Sequence, residues 1–233
     1  MKSFFNSLKI CVICSTPMKT SDVCYCSFCA ENLECLTQTT CSICLNATSK
    51  ERSICLACQL NKPFYDKIVV AYKYAQPLSS LLHKVKYNRQ VAYSRVLSQL
   101  FYARVIKQIE TWPDVIIPVP LNMHKLWKRG FNQSEELLKY FKLKHKITTV
   151  NAVKLNHNDS QVGLDRDSRE KNLSGSFVIY EDLTSKNVVL IDDVVTTGAT
   201  VNELAKTCKL LGASNVQVWC FLRTILIGNN CDE

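Results

Sequence analysis

Val188–Thr200 reads VVLIDDVVTTGAT. The apolar run from Val188 to Ile191 has the unbroken character of a strand buried on both faces. It ends in two adjacent carboxylates, Asp192 and Asp193. Val194 and Val195 follow, then a hydroxyl-rich loop, Thr196-Thr197-Gly198-Ala199-Thr200, and a helix-like segment from Val201 to Leu211. Such a strand delivers both acids to the carboxyl edge of a sheet, and the loop opens a helix N-terminus. Backbone N–H groups without intrahelical partners and the positive end of the helix dipole meet there, which suits a phosphate. The carboxylates beside it can accept hydrogen bonds from vicinal sugar hydroxyls. Donors for a phosphate next to acceptors for hydroxyls imply a ribose 5-phosphate site. A capped helix alone would account for one Asp or one Thr, not for the whole string.

The flanking chain has the same character. Lys67 to Tyr74 reads as a strand, and Pro77 opens the helical stretch LSSLLHKVKY. Residues 91–110 carry apolar positions at helical spacing, with Val96, Leu100, Ala103 and Ile106 on one face, until Trp112-Pro113 breaks the run. Asp114 to Val119 is a buried strand whose Pro-Val-Pro-Leu ending makes a rigid exit loop. Residues 132–142 read as a helix with Asn132 as its N-cap. Residues 151–175 are polar and irregular, as in a flap. Phe177 to Tyr180 and Val216 to Phe221 are further strands, and Gly212 closes the last helix. Strands alternating with helices predict an α/β fold with a doubly wound, mainly parallel sheet, whose ligands bind at the carboxyl ends of strands.

The first 60 residues are a different unit. Of the 13 cysteines, ten lie within residues 1–58, and eight of these form four C-x-x-C pairs: Cys11/Cys14, Cys26/Cys29, Cys41/Cys44 and Cys55/Cys58. The gap between pairs is 11 residues in the first half and 10 in the second, an internal duplication. Each half has the form of a zinc ribbon in which two knuckles give four thiolates to one tetrahedral Zn²⁺. A segment this poor in large apolar residues needs the metal to fold, and four thiolates leave no open coordination position, so both ions would be structural. Cys24 also precedes Cys29 and competes with Cys26; C-x-x-C spacing prefers Cys26. Asn61-Lys62-Pro63 reads as a linker, dividing the chain into a small N-terminal zinc-ribbon domain, 1–61, and an α/β domain, 62–233.

The net charge of +9 is uneven: residues 62–150 hold 16 basic against 5 acidic residues. Nucleic acid or pyrophosphate would complement that segment. Lys125, Lys128 and Arg129 follow the strand 114–119 within a few residues and could meet pyrophosphate. Lys84, Lys86 and Arg89, interleaved with Tyr87, suit a nucleic-acid backbone with a base stacked nearby. Gln161, Arg166, Arg169 and Asn172 are polar groups of the flap. The four His have no metal-ligand spacing, and no G-x-x-x-x-G-K-[ST] loop is present, which argues against ATP hydrolysis. The N-terminus lacks a long apolar stretch with a cleavage site, and no run of about 18 uncharged apolar residues occurs, so the expectation is a cytoplasmic protein without a transmembrane segment.

Two resemblances sharpen this reading. VVLIDDVVTTGAT resembles the phosphoribosyl-pyrophosphate (PRPP) loop of type I phosphoribosyltransferases. The ordered set of four C-x-x-C pairs, PVPL, RGFNQ, Q-x-G-L with R-x-x-N, and LIDDVVTTGAT resembles the ComF family over residues 8–224; the tail from Ile225 to Glu233 has no counterpart. The resemblance implies a double zinc ribbon holding two Zn²⁺, fused to a type I phosphoribosyltransferase-like domain. It implies a role in natural transformation, handling incoming single-stranded DNA at the cytoplasmic side of the inner membrane, with DNA-uptake machinery as partner and a peripheral location there. PRPP would be held by Asp192 and Asp193 at the ribose and by Thr196, Thr197, Gly198, Ala199 and Thr200 at the 5-phosphate. Lys128 and Arg129 would meet its pyrophosphate, with Mg²⁺ bridging pyrophosphate and ribose oxygens. The resemblance carries no established transfer reaction, so active transfer of ribose 5-phosphate from PRPP to an acceptor stands as the alternative.

Overall fold

The computed structural model describes residues 9–18, 23–36, 39–48, 53–87, 90, 92–155 and 176–224. Arg89, Gln161, Arg166, Arg169, Asn172 and the tail beyond Thr224 lie outside the described residues. A four-stranded sheet forms the centre. Its strands are β3 (Lys67–Lys73), β4 (Val115–Pro118), β7 (Asn187–Val195) and β8 (Asn215–Arg223), in the spatial order β3-β8-β7-β4. Every pairing in it is parallel. Thr149 bridges to Ile116 alongside β4, so the chain continues the sheet there for one bridge. Smaller antiparallel pairs are β1 (Lys9–Ile10) with β2 (Pro17–Met18), and β5 (Ala152–Lys154) with β6 (Phe177–Ile179).

The sheet is apolar on both faces because its strands are apolar at successive positions. Val189 and Ile191 of β7, with Trp219 and Phe221 of β8, face α3 (Leu78–Tyr87), α4 (Ala92–Val105) and α6 (Gln133–Lys144), where Leu100, Phe101 and Phe141 are buried. Burying each such side chain contributes roughly 1.5–3 kcal/mol. Val188 and Leu190, with Val216, Val218 and Cys220, face the other layer. There α7 (Ala199–Leu210) packs Leu204, Ala205 and Cys208 against them. Helices on both faces of a parallel sheet make the predicted doubly wound α/β fold.

The cysteine-rich segment carries two short helices, α1 (Ser27–Glu31) and α2 (Leu56–Leu60). It is packed into the sheet domain. Cys41, Cys44 and Cys58 share one core with Tyr65, Ile68 and Val195, and Leu33 belongs to the core on the opposite face. The Ile68 N–H donates to Ile43 O at 3.0 Å, joining the second half of the segment to β3. The linker is pinned as well. Phe64 N–H donates to Asn202 Oδ1 at 2.7 Å, and Asp66 accepts from Lys209 Nζ at 2.7 Å.

Three expectations change. The helix read over 91–110 is α4 ending at Val105, followed by a 3₁₀ turn, Ile106–Gln108, because Ile109 turns extended ahead of Trp112-Pro113. The basic stretch after β4 is not all loop: α5 (Met123–Arg129) forms in it, capped by Asn122 Oδ1 at the Lys125 N–H and ended by Gly130 at φ +81°. The acids do not terminate their strand. β7 runs on to Val195, paired in register with Arg223, because β-branched Val194 and Val195 prolong the ladder.

Candidate functional site

β7 is an inner strand, held between β8 and β4, and its carboxyl end carries the site. Asp192, Val194, Val195, Thr196, Thr197, Gly198, Ala199, Thr200 and Val201 line an open cavity of about 40 Å³. Gly198 makes the turn into α7 at φ +86°, a region that costs an L side chain about 1–2 kcal/mol. The first intrahelical bond runs from Asn202 N–H to Gly198 O, at 2.9 Å. The amides of Ala199, Thr200 and Val201 precede that bond and have no acceptor in the helix. Ala199 N–H reaches Thr197 Oγ1 at 3.3 Å. The helix opening is therefore built as a cradle of donors, with exposed Thr196, Thr197 and Thr200 hydroxyls around it.

The two acids have different surroundings. Asp193 is paired with Lys86 of α3, whose Nζ lies 2.9 and 3.0 Å from its two carboxylate oxygens, and both side chains are largely buried. Asp192 lines the cavity. Its carboxyl is pushed up to about 8, first by burial and then by the neighbouring Asp193 charge. The Asp193 N–H, donating at 2.8 Å, and to a smaller extent Lys86 and the Ser134 hydroxyl, offset part of that shift. Lys86, read from sequence as a DNA contact, is paired with Asp193 in the structure. Lys84, two residues earlier and on the exposed side of α3, sits over the Tyr93 ring at 5.4 Å. Replacing Lys86 by Met strands a buried carboxylate, so the variant should lose about 3 kcal/mol of stability. Lys84→Met should stay within about 0.5 kcal/mol. Urea midpoints of the two variants check the contrast.

RGFNQ closes the other side of the acids. Asn132 caps α6 by accepting from Ser134 N–H at 3.1 Å, while its Nδ2 donates to Val119 O at 3.1 Å, just beyond β4. This double bond fixes the start of α6, and with it Ser134 beside Asp192. Arg129 donates to Gln133 Oε1 at 2.8 Å and lies over the Tyr87 ring at 5.4 Å. Neither Lys128 nor Arg129 lines the cavity of the loop. Lys125 and Lys128 are exposed on α5, next to Trp127, which is 83% exposed.

The cysteines gather as two quartets. Cys11, Cys14, Cys26 and Cys29 form one, and Cys41, Cys44, Cys55 and Cys58 the other; within each, all sulfurs lie within 4.8 Å of one another. Observed edges are 3.8 Å for Cys11–Cys29, 3.7 Å for Cys14–Cys26 and 3.7 Å for Cys44–Cys55. A regular tetrahedron with Zn–S bonds of about 2.3 Å has edges of about 3.8 Å. The donor chemistry fits as well. Burial and then the adjacent sulfurs push the Cys29 and Cys58 thiols far up, so four thiolates can coexist there only around a cation. Either quartet could hold a Zn²⁺. Cys24 belongs to neither: it packs against the core of the sheet, and its amide donates to Gln99 Oε1 at 3.1 Å. The spacing preference for Cys26 agrees with this placement.

Sequence reasoning missed three side chains that shape the site. Ser134 follows RGFNQ directly, and a helix N-terminus aimed at the acids was the available signal. Tyr65 is buried with its hydroxyl close to Gly198, where an added Cβ would stand 3.4 Å from it. Arg223, the last residue of β8, is fully buried beneath the loop. Nothing local to Tyr65 or Arg223 in the sequence marks them, since both reach the loop only through the sheet register.

No protein-family model matches the chain. Among curated proteins, competence protein F of Haemophilus influenzae is 32% identical over 96% of this chain and 100% of its own length. The DNA utilization protein YhgH of Escherichia coli K12 is 32% identical over 79% of this chain and 90% of its own. Competence protein ComFC of Streptococcus pneumoniae is 23% identical over 91% and 99%. Among solved structures, an adenine phosphoribosyltransferase aligns over 59% of this chain and 73% of its own, at 18% identity and a TM-score of 0.40. A purine phosphoribosyltransferase of Pyrococcus horikoshii aligns over 66% and 75%, at 20% identity and a TM-score of 0.31. With full-length likeness to competence protein F, four C-x-x-C pairs in two quartets and a loop of donors beside Asp192, the chain belongs to the ComF family of competence and DNA utilization proteins.

Proposed function

We propose that this protein serves DNA uptake or use, handling single-stranded DNA at the inner face of the membrane, and that it binds PRPP with Mg²⁺ at the end of β7. The observation that carries the PRPP part is the joining, in one cavity, of a carboxylate at Asp192 and the donor loop Thr196–Thr200. The loop amides and hydroxyls take the 5-phosphate, and Asp192 accepts from the ribose hydroxyls. Asp193 is neutralised by Lys86, so a Mg²⁺ bound with PRPP would be held mainly by the ligand's pyrophosphate oxygens rather than by a cage of protein carboxylates. When bound, it would screen the pyrophosphate charge. Names of the relatives support the DNA part. No helix among the described residues is long and apolar enough to cross a membrane; a peripheral place beside the uptake machinery is part of the proposal.

The DNA path is assigned to the basic middle segment, with exposed Lys84, Lys125 and Lys128 in reach of solvent, together with Arg89. Phosphate contacts release counterions, so affinity for a single-stranded oligonucleotide should fall with salt at a log–log slope of about −0.7 per phosphate neutralised. Lys125→Ala/Lys128→Ala should flatten that slope by about one unit or more. Fluorescence anisotropy between about 50 and 300 mM salt, over which the Debye length shortens from about 14 to about 6 Å, checks it. A salt-independent affinity would remove the electrostatic path.

The second reading is transfer of ribose 5-phosphate to an acceptor. It is favoured by the placement of Asp192 and the donor loop on one cavity, the arrangement needed to hold the ribose while pyrophosphate departs. Pyrophosphate release from PRPP in the presence of nucleobases or amines separates the two: release lost in Asp192→Asn selects transfer, and tight binding without release selects a ligand-sensing role.

A further inference from the structure

We infer that Arg223 is a positioning residue for the 5-phosphate loop, and that the second cysteine knuckle holds it in place through Asn46. This rests on the PRPP reading for the identity of the ligand, though not for the geometry. Arg223 is fully buried, and no carboxylate pairs with it among the described residues. Its Nη1 donates to Val195 O at 3.1 Å and also to Thr196 O. Its Nη2 donates to Asn46 Oδ1 at 2.8 Å, and its Nε has no hydrogen-bond partner among the described residues. Burying a guanidinium costs free energy unless its donors are satisfied. Here its donors are spent on the backbone of the loop.

The consequence follows from peptide geometry. In a trans peptide, a carbonyl and the N–H of the next residue point in opposite directions. Drawing the Val195 and Thr196 carbonyls onto the guanidinium turns the Thr196 and Thr197 amides away from it, toward the side on which the cavity opens. Those two amides join the amides at the start of α7 to form one concave set of donors. The positive charge of Arg223, paired with no carboxylate among the described residues, lies directly behind them. Both effects favour a dianionic phosphate monoester.

Asn46 is placed by the metal-ligand turn. Its own carbonyl accepts from Cys41 N–H at 2.9 Å, and Leu45 N–H donates to Cys41 O at 3.0 Å. A chain of hydrogen bonds thus runs from the Cys41–Cys44 knuckle, through Asn46 and Arg223, to the phosphate loop. The cysteine-rich segment is part of the phosphate site and is not an appendage carried beside it.

Asn46→Ala, Asn46→Asp and Arg223→Lys test this on the full, zinc-loaded chain. Asn46→Asp keeps an acceptor for Nη2, so it serves as the conservative rescue. In the ligand-free protein, ¹⁵N resonances and hydrogen exchange of the Thr196 and Thr197 amides should change in Asn46→Ala and Arg223→Lys, and return toward native in Asn46→Asp. Ribose 5-phosphate and PRPP–Mg²⁺ should each bind about tenfold more weakly to Asn46→Ala. Magnesium pyrophosphate, which does not use the 5-phosphate loop, should be unaffected. A general loss of structure would weaken all three probes alike. Unchanged amides in both Asn46→Ala and Arg223→Lys, or an equal loss for pyrophosphate, would overturn the inference. Failure of the native protein to bind PRPP while the amides respond to these variants would refute the PRPP reading and leave the clamp standing.

Discussion

Cys44→Ser is expected to destabilise the whole chain, lowering its thermal midpoint by about 10 °C or more, with loss of one of two bound zinc ions. A structural Zn²⁺ site supplies folding free energy on the order of 10 kcal/mol in small zinc modules, and each kcal/mol moves the midpoint of a domain of this size by about 2–4 °C. The effect should spread because the second quartet is not an isolated ribbon. Cys41, Cys44 and Cys58 lie in the same core as Tyr65, Ile68 and Val195, and Ile43 pairs with β3 through its carbonyl. Without metal, burial pushes the Cys44 thiol up to about 11, even though hydrogen bonds from the Asn46 backbone and Cys58 favour its thiolate. Cys26→Ser should likewise leave one zinc. Cys24→Ser should keep both and cost about 1 kcal/mol or less. Metal content by atomic emission, together with thermal midpoints, reads all three; two zinc ions retained in Cys26→Ser would reverse the assignment of Cys26 over Cys24.

Asp192→Asn is expected to stabilise the protein while disabling its ligand site. The folded carboxyl titrates at about 8, against 3.8 for the unperturbed group. A raised carboxyl contributes stability that is fully present below the unfolded value and is lost as pH rises through the folded one. Asn carries no proton to lose, so the variant should gain over native as pH rises from about 5 to 8, by a few kcal/mol at the upper end. That gain corresponds to a midpoint higher by about 5 °C or more at pH 8, shrinking toward nothing near pH 4. PRPP binding should move the opposite way. An ionised carboxylate accepting ribose hydroxyls contributes about 1.5–3 kcal/mol per hydrogen bond, so affinity should fall roughly 10- to 100-fold. For the native protein, affinity should rise with pH up to about 8 as the carboxyl ionises. A functional residue that costs stability is the usual sign of a site kept for binding.

Much of this was legible in the sequence because the decisive signals are local. An apolar run that ends in acids, followed by a hydroxyl loop and a helix, specifies strand, cradle and helix within 24 residues. The register of C-x-x-C pairs specified the quartets, and Asn132 announced the cap that places Ser134. What stayed hidden depends on residues distant in the chain. Lys86 reads as one of three neighbouring cations, and only the packing of α3 against the end of β7 brings it to Asp193, 107 positions away. Arg223 reads as a basic residue closing an apolar strand. Parallel pairing of β8 with β7 slides it beneath Val195, and folding of the knuckle brings Asn46, 177 positions away, to its far side. Helix α5 was hidden for a different reason: its seven residues, MHKLWKR, bury no side chain, so no periodicity betrays them.

Titration calorimetry of the native, zinc-loaded chain with PRPP–Mg²⁺ at pH 8, beside Asp192→Asn under the same conditions, tests the central claim most directly. The predicted result is saturable binding at one site per chain in the native protein and binding weakened by about tenfold or more in the better-folded variant. Absence of binding to a native chain that holds both zinc ions and unfolds cooperatively, or equal affinity in Asp192→Asn, would contradict it.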